Sequence, residues 1–239
     1  MLPDYRTRLS LMEDWYKELV ASEDRELMLL EDYAPHRAFL GSLTGRVIDI
    51  GGGAGIAARF LRPEVDYVVV DPSEVWESPE WVDFGRSFRA GGPEPEFVKA
   101  PGETLPFADS QFDAALSFWS LNHVSDPAHC VAEMARVLKP GAPARIVLED
   151  TVPSWGDLIA ETLDRLRWRI SRRDFNVRVS LPMAEALKRK LGRTWPIQED
   201  HVPIPESSLL RWLRGRFKIV HRQWLGRFLT YDLAKKSRS

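Results

Sequence analysis

The chain has 239 residues, of which 44% are hydrophobic and 28% charged, a composition typical of globular proteins rather than disordered ones. This length favours one core with an appended segment. The single cysteine, Cys130, excludes an internal disulfide, and no apolar run of about 18 residues indicates a membrane span. We therefore expect a cytoplasmic protein without a membrane span.

The formal net charge of −2 conceals an asymmetry between two parts of the chain. Residues 1–150 contain 14 Lys/Arg and 26 Asp/Glu, whereas residues 151–239 contain 19 and 9. The C-terminal part is therefore basic, and one interpretation of it is an anion-binding surface.

The first forty residues predict helices. Apolar side chains recur there with helical spacing, namely Leu11, Trp15, Leu19, Leu27 and Leu30. A shorter helix is predicted over 35–43. We therefore assign residues 1–43 to an N-terminal helical segment.

From Arg46 the pattern changes to short apolar runs separated by turns, which is typical of βαβ units and a mostly parallel sheet. The predicted strands cover 47–50, 67–70, 96–98, 114–118 and 144–148. The best marked helix begins after Asp126 as N-cap, with Pro127 in its first position, and Gly141 follows its end.

After Thr151 the alternation of strands and helices is lost. Three helices are predicted, over 154–170, 182–191 and 205–214. Two antiparallel strands follow, in FKIVHRQWL and GRFLTYDL. We therefore predict a core of 44–150 and 216–239, with 151–215 inserted after the fifth strand as a helical substrate cap.

The first βα turn, within VIDIGGGAG, carries the clearest chemistry. Asp49 lies at the end of the strand, and Gly51, Gly53 and Gly55 lie in the turn that opens a helix predicted over 54–61. Glycines let the backbone turn sharply and let a ligand approach it, while a helix N-terminus offers unpaired N–H groups. The turn therefore predicts a nucleotide-like ligand.

A second carboxylate, Asp71, follows the next strand 16 residues after Gly55, where it can accept hydrogen bonds from both hydroxyls of a ribose. A dinucleotide is the alternative ligand, because residues 53–58 satisfy the GxGxxG/A pattern. That pattern is a weak signal alone.

Four ordered motifs between residues 47 and 149 carry a family resemblance. They are D-x-G-x-G-x-G from Asp49, GETLPFADSQFDAALS from Gly102, SLNHV from Ser120 and EMARVLKPGAPARIVLE from Glu133. With them the sequence resembles the class I S-adenosylmethionine-dependent methyltransferases, in particular the group that includes ubiquinone and menaquinone biosynthesis enzymes. The resemblance implies S-adenosylmethionine as cofactor and an α/β, Rossmann-like methyltransferase fold with a mostly parallel seven-stranded sheet.

The resemblance also implies where the cofactor binds. The predicted cofactor-binding residues are Asp49, Gly51, Gly53, Gly55, Asp71, Pro72, Gly102, Glu103, Phe118 and Trp119. Among them Asp71 would hold the ribose, and Phe118 and Trp119 would approach the methionine portion. The family usually has an Asp where this chain has Pro101, which removes a carboxylate contact to adenine that Gly102 N–H or Glu103 could replace.

His123 lies just beyond the fourth predicted strand, at the edge where open α/β sheets bind ligands. A histidine can take a proton near pH 7, so His123 is the candidate catalytic residue, with packing as the alternative. Trp119 could equally cap the cofactor or fill the core. We interpret Asp113 as a structural carboxylate and Cys130 as a core residue.

The other histidines share no metal-ligand spacing, so we expect them at the surface and predict no metal; they are His36, His129, His201 and His221. Four arginines of the cap recur at helical spacing, namely Arg165, Arg169, Arg172 and Arg173. They form either a solvated face or an anion-binding surface.

Methyl transfer from a sulfonium is an in-line displacement, so the protein has to align the acceptor and exclude water. We favour a small organic acceptor, anionic or aromatic, enclosed by the tryptophans of the cap, Trp155, Trp168, Trp195 and Trp212. The alternative is a nucleic-acid or protein methyltransferase that uses the basic cap, disfavoured because Asn/Asp-Pro-Pro-aromatic and Pro-Cys signatures are absent. A cofactor-binding module, a dehydrogenase and the oligomeric state stay open.

Overall fold

The computed structural model describes residues 3–171, 183–192 and 199–237. In these ranges one sheet contains the strands Arg46–Ile50 (β1), Asp66–Val70 (β2), Glu96–Val98 (β3), Ala114–Phe118 (β4), Pro143–Leu148 (β5), Phe217–Leu225 (β6) and Phe228–Lys235 (β7). The strand order is β3-β2-β1-β4-β5-β7-β6, and β7 is antiparallel to both of its neighbours while the other pairs are parallel. The predicted α/β fold with a mostly parallel seven-stranded sheet is confirmed.

The central strands β1, β2 and β4 are mostly apolar and buried along nearly their whole length, because both faces of the sheet are covered. Ile48 and Val68 belong to one core cluster, whereas Val47 and Tyr67, one position earlier in each strand, belong to the cluster on the other face. β1 pairs with β2 in register, so each layer is continuous across the two strands.

Eight α-helices surround the sheet in the described ranges: Tyr5–Ala21 (α1), Arg25–Tyr33 (α2), Arg37–Leu40 (α3), Pro79–Phe88 (α4), Pro127–Val137 (α5), Trp155–Ser171 (α6), Met183–Lys190 (α7) and Glu206–Leu213 (α8). The predicted start of α5 is confirmed, since Asp126 accepts a hydrogen bond from His129 N (3.0 Å) and Pro127 follows it. Every one of these helices is too short or too polar to cross a bilayer.

The helix predicted over 54–61 is wrong in type and length. Only a 3-10 helix forms, at Ile56–Phe60, because Gly51, Gly53 and Gly55 take left-handed φ angles of 72°, 53° and 71° and fold the preceding residues into a turn. Pro63 follows closely and cannot continue a helical hydrogen-bond ladder. The backbone here is therefore a glycine turn rather than the first turn of a full α-helix.

Helix α8 of the predicted cap packs with the core. Helix α8 lies against α5, and its Leu209 and Leu213 are buried in the same cluster as Tyr231 of β7. The division of the chain at 151–215 stays a prediction. The predicted arginine face lies outside the residues whose side chains the structure describes; it comprises Arg165, Arg169, Arg172 and Arg173.

Helix α1 lies over the ends of the first two strands. Trp81 of α4 donates its indole N–H to Tyr16 O of α1 (3.2 Å), and the Ser73 hydroxyl donates to Glu13 Oε1 (2.6 Å). These contacts tie α1 to α4 and to the loop after β2. The N-terminal helices thus form one wall of the region at the carboxyl edge of the sheet.

Candidate functional site

The turn after β1 contains positions that only glycine fits. Gly51 donates its N–H to Val70 O (2.7 Å), and a Cβ on Gly51 would lie 2.3 Å from Ser120 Cβ. A Cβ on Gly53 would lie 2.8 Å from the Trp76 ring. Any larger side chain would therefore displace the loop after β4 or the Trp76 ring.

Asp49 lies beneath this turn. Asp49 is 1% exposed, and its Oδ2 accepts a hydrogen bond from the Tyr67 hydroxyl (2.6 Å). Burial raises the pKa of Asp49 to about 6, although the Tyr67 hydrogen bond opposes the shift. A Cβ on Gly52 would lie 2.7 Å from Asp49 Cγ, so the carboxyl group supports the turn from below. Its predicted contact with the cofactor stays a prediction.

Asp71 directly follows β2 and faces the glycine turn. Its Oδ2 accepts from Gly53 N (3.1 Å) and its Oδ1 from Ser73 N (3.0 Å), so the carboxylate is fixed in orientation. Each carboxylate oxygen can accept more than one hydrogen bond, which leaves capacity for hydroxyl donors. Burial raises the pKa of Asp71 to about 6, and the two backbone hydrogen bonds oppose the shift.

A cavity of about 60 Å³, which we call the inner cavity, lies between the glycine turn and α1. It brings together eight of the predicted site residues, namely Gly51, Asp71, Pro72, Gly102, Glu103, Phe118, Trp119 and His123. The opposite wall comes from Tyr5, Leu9, Met12 and Tyr16 of α1, none of which was predicted as a site residue. Ligand cavities usually measure about 300 Å³ or more, so α1 covers a site that is too small, as it stands, for a whole nucleotide.

Asp71 and Gly53 also line an adjoining cavity of about 370 Å³ that extends toward β3. Phe97, Val98 and Lys99 form its far side. Gly55 does not line either cavity, and a Cβ on it would lie 3.1 Å from Pro95, so its left-handed conformation shapes the turn.

Glu103 is engaged within the protein. Its Oε1 accepts hydrogen bonds from Ser125 N (2.8 Å), the Ser125 hydroxyl (2.7 Å) and Asp126 N (3.0 Å), and these outweigh burial and lower the pKa of Glu103. Gly102 packs closely, since a Cβ on it would lie 2.9 Å from Cys130 Sγ. Of the two groups predicted to replace the carboxylate missing at Pro101, the Gly102 N–H is therefore the better candidate.

Trp119 has a strained backbone at the end of β4. Its φ of 55° is rare for a bulky residue, and such strain occurs at functional sites. The indole packs against Tyr33 (4.9 Å between ring centroids) and Phe228 (5.2 Å) and also lines the inner cavity. The two sequence interpretations, core packing and contact with a ligand, are thus both compatible with its position.

A larger cavity of about 430 Å³, which we call the outer cavity, adjoins the inner one. Met12, Tyr16, Trp119 and His123 line both. Five carboxylates also line the outer cavity, namely Asp32, Glu149, Asp150, Glu199 and Asp200. Burial raises the pKa of Asp32 to about 6, opposed by the nearby Arg227.

His123 lies at the junction of the inner and outer cavities. Its Nδ1 is 3.4 Å from Asp200 Oδ2, and its ring meets the ring of His201 edge-on, with 4.6 Å between centroids. Burial and the nearby charge of His201 lower the pKa of His123 to about 3. A general base works best with a pKa near the working pH, so this environment makes His123 a weak proton acceptor.

The structure corrects the expectation that the other histidines lie at the surface. His36 and His201 are buried, while His129 and His221 are exposed as expected. The ring nitrogens of His201 lie 3.2 Å from Glu149 Oε2 and 3.2 Å from Asp150 Oδ2. Burial lowers the pKa of His201, but the hydrogen bonds to Asp150 and Glu149 outweigh it and raise the pKa to about 9.

Cys130 and Asp113 have the structural roles that the sequence indicated. Cys130 is 1% exposed and belongs to the core, and Asp113 accepts from Arg46 N (3.0 Å), so both structural interpretations are confirmed. Of the tryptophans predicted to enclose an acceptor, Trp155 is 58% exposed and Trp212 packs against the core. Trp168 and Trp195 lie outside the residues whose side chains are described.

The sheet order, the glycine turn, the carboxylate after β2 and the adjoining cavities define a Rossmann-like protein of the kind that binds a nucleoside cofactor at the carboxyl edge of its sheet. A family model described as a methyltransferase domain matches residues 48–146. A demethylmenaquinone methyltransferase of Paenarthrobacter aurescens is 30% identical over 199 residues, covering 80% of this chain and 70% of that protein. The chain therefore belongs to the class I S-adenosylmethionine-dependent methyltransferases, as the motifs predicted, and S-adenosylmethionine is the family's cofactor.

Two further comparisons define the extent of the similarity. An uncharacterized methyltransferase of Mycobacterium sp. (strain JLS) is 42% identical over 107 residues, which is 44% of this chain and 38% of that protein. The chain thus matches about two fifths of the length of that relative. The fold is shared with 1,6-didemethyltoxoflavin-N1-methyltransferase of Burkholderia thailandensis, solved with bound S-adenosylhomocysteine, at a TM-score of 0.60 and 18% identity over 99% of this chain and 92% of that one.

Proposed function

We propose that this protein transfers the methyl group of S-adenosylmethionine to a small organic acceptor bound in the outer cavity. The observation that carries the proposal is the junction of the inner and outer cavities at Trp119 and His123. A cofactor whose ribose lies at Asp71 and whose methionine portion lies at Phe118 would have its sulfonium near that junction. The methyl group would then face the outer cavity.

Methyl transfer from a sulfonium requires no nucleophilic side chain of the protein. Bound S-adenosylmethionine would supply the methyl group: an electron pair of the acceptor would form the bond to the methyl carbon as the carbon–sulfur bond breaks, S-adenosylhomocysteine would leave with the bonding pair, and any acceptor proton would pass to a carboxylate of the outer cavity. Alignment and exclusion of water are therefore the main contributions of the protein. His123 would lie beside the acceptor at the junction of the two cavities, and its pKa of about 3 makes it a weak base, so we do not assign proton removal to it.

The volume, rings and charges of the outer cavity favour some classes of acceptor over others. Its volume of about 430 Å³ suits a small molecule better than a polymer, and its rings, including Trp15, Tyr16 and Trp119, support an aromatic or other flat acceptor. Among the described residues, five carboxylates face only two cationic side chains in this cavity, Arg227 and His201, so the negative charge opposes an anionic acceptor unless a further cation binds first. This proposal therefore keeps the aromatic part of the sequence expectation and departs from the anionic part.

Labelled S-adenosylmethionine tests the proposal. Incubation with the full chain and with separated small-molecule, RNA and protein fractions of a cell extract should label the small-molecule fraction. With S-adenosylmethionine well below saturation, Asp71→Asn should reduce the labelling at least about tenfold, whereas Asp83→Asn, a matched change at an exposed carboxylate of α4, should not. Label found only in RNA or protein would overturn the small-molecule assignment.

A further inference from the structure

Three side chains in one wall of the outer cavity converge on a common point. His123, Asp200 and His201 each offer a nitrogen or oxygen atom, and these atoms lie within 4.8 Å of one another. His123 Nδ1 lies 3.4 Å from Asp200 Oδ2. Donor atoms bound to one metal ion at about 2.0–2.2 Å are separated by roughly 3–4 Å, so small side-chain adjustments would complete such a set.

The surroundings of His201 match those of a metal-bound histidine. A ligating imidazole usually donates its other ring N–H to a carboxylate or carbonyl. Whichever nitrogen of His201 binds a metal, the other keeps a carboxylate oxygen at 3.2 Å, on Glu149 or on Asp150. The carboxylate beside the binding nitrogen then lies close enough to act as a fourth ligand.

The backbone holds these groups in place from three separate segments. His123 follows β4, and Glu149 and Asp150 follow β5. The segment with Asp200 and His201 is anchored by Val202 N, which donates to Asn122 O (2.6 Å), and by Asn122 Nδ2, which donates to Val202 O (3.2 Å). Strand ends and a paired backbone therefore bring the ligands together.

We propose that His123, His201 and Asp200 bind a divalent first-row transition metal ion, with Glu149 or Asp150 completing the site. Two imidazoles and carboxylates without a thiolate suit Zn²⁺, Mn²⁺ or Fe²⁺, whereas Mg²⁺ prefers oxygen ligands alone. This departs from the sequence expectation of no metal, because the ligands come from positions far apart in the chain. The ion would reduce the negative charge of the outer cavity and would bind an oxygen or nitrogen atom of a molecule that enters it.

A competing arrangement explains the same contacts without a metal. A protonated His201 would then bridge Glu149 and Asp150 as a buried ion triad, and His123 would only pack against it. The two arrangements differ in one measurable respect, since the ion triad binds a proton and the metal site releases one.

Metal uptake by the full, tag-free chain distinguishes them. Dialysis against Zn²⁺, followed by elemental analysis, should give about one ion per chain, while Mg²⁺ at the same concentration should not bind. Loading with Co²⁺ should produce visible absorption bands typical of nitrogen and oxygen ligands. A chain that takes up no Zn²⁺ or Co²⁺ beyond trace amounts would overturn the proposal.

Matched histidine variants locate the site. His201→Gln should weaken Zn²⁺ binding at least about 100-fold, and Asp200→Asn about 10- to 100-fold, whereas His129→Gln and His221→Gln, changes at exposed histidines, should leave it unchanged. Equal binding in His201→Gln and the wild type would contradict the assignment. S-adenosylhomocysteine binding, measured in parallel, should persist in His201→Gln because His201 does not line the inner cavity. This readout shows that the variant is folded, and it separates failure of the metal proposal from failure of the proposed function.

Discussion

At the scale of single residues, Asp71 connects the sequence motif with the geometry of the site. Its position after a buried strand is visible in the sequence, and the structure adds the hydrogen bonds from Gly53 N and Ser73 N that orient it. His123 was also visible, because it follows a strand end. Asp200 and His201 were not, since no local pattern links a polar segment before α8 to a strand end so much earlier in the chain.

Asp71→Asn should weaken binding of S-adenosylhomocysteine at least about tenfold and leave the fold intact. Hydrogen bonds from ribose hydroxyls to a carboxylate contribute about 1.5–3 kcal/mol each, and an amide supplies weaker ones. Calorimetric titration of Asp71→Asn beside Asp83→Asn provides the comparison. Equal affinities in the two variants would show that the ribose is held elsewhere.

The pKa of Asp71 also predicts a pH dependence of cofactor binding. The ionised carboxylate accepts the ribose hydrogen bonds, and its pKa is raised to about 6, so protonation competes with the cofactor as the pH falls from about 7 to 5. Affinity for S-adenosylhomocysteine should therefore fall over this range. The stability of the unliganded protein depends on pH in the opposite direction. The folded chain binds the Asp71 proton more tightly than the unfolded chain does, so the contribution of Asp71 to the unfolding free energy rises as the pH falls toward 4. A decrease in affinity that is equally steep in Asp71→Asn would assign the effect to another group.

At the scale of secondary-structure elements, runs such as Val68-Val69-Val70 predicted each central strand to within one residue of its observed bounds. A continuous apolar run predicts such a strand because both faces of a central parallel strand are buried. The predicted helix over 54–61 failed because left-handed glycines and Pro63 leave room only for Ile56–Phe60. Amphipathic spacing predicted α1 but not which cavity it covers.

Gly51→Ala should destabilise the protein more than Gly141→Ala. Both positions have left-handed φ, 72° and 80°, but a Cβ at Gly51 would lie 2.3 Å from Ser120 Cβ, whereas a Cβ at Gly141 would have no atom within 4 Å. Both variants place an alanine in the left-handed conformation, so that cost is common to them. The difference between their unfolding free energies should therefore be about 1–3 kcal/mol, from overpacking at Gly51. Urea unfolding of both variants measures it, and equal destabilisation would contradict the close packing of the turn.

Helix α1 should become more protected when the cofactor binds. Tyr5, Leu9, Met12 and Tyr16 line the inner cavity, so a bound ligand would hold α1 against the sheet. Hydrogen exchange with and without S-adenosylhomocysteine should show slower exchange in α1 and little change in α8, which lies away from that cavity. Unchanged exchange in α1 would mean that the helix does not cover the cofactor.

At the scale of the whole molecule, the sequence predicted the sheet and eight residues that meet at the inner cavity, but not the outer cavity. Strand order and the glycine turn follow from local patterns together with the family resemblance. The outer cavity instead joins α1, α2, the ends of β4 and β5 and residues 199–201, which meet only in the folded chain. Of the predicted tryptophans of the cap whose side chains are described, Trp155 is exposed and Trp212 packs against the core. Neither lines the outer cavity, and their contact with an acceptor stays a prediction.

Calorimetric titration of the full chain with S-adenosylhomocysteine and, separately, with NADH tests the central claim most directly. We predict one S-adenosylhomocysteine per chain and no binding of NADH, because S-adenosylmethionine is the family's cofactor and the predicted site at Asp71 holds one ribose, whereas NADH carries two. At about 100 times its dissociation constant, S-adenosylhomocysteine should also raise the unfolding free energy by about 2.7 kcal/mol. Binding of NADH without binding of S-adenosylhomocysteine would contradict the account.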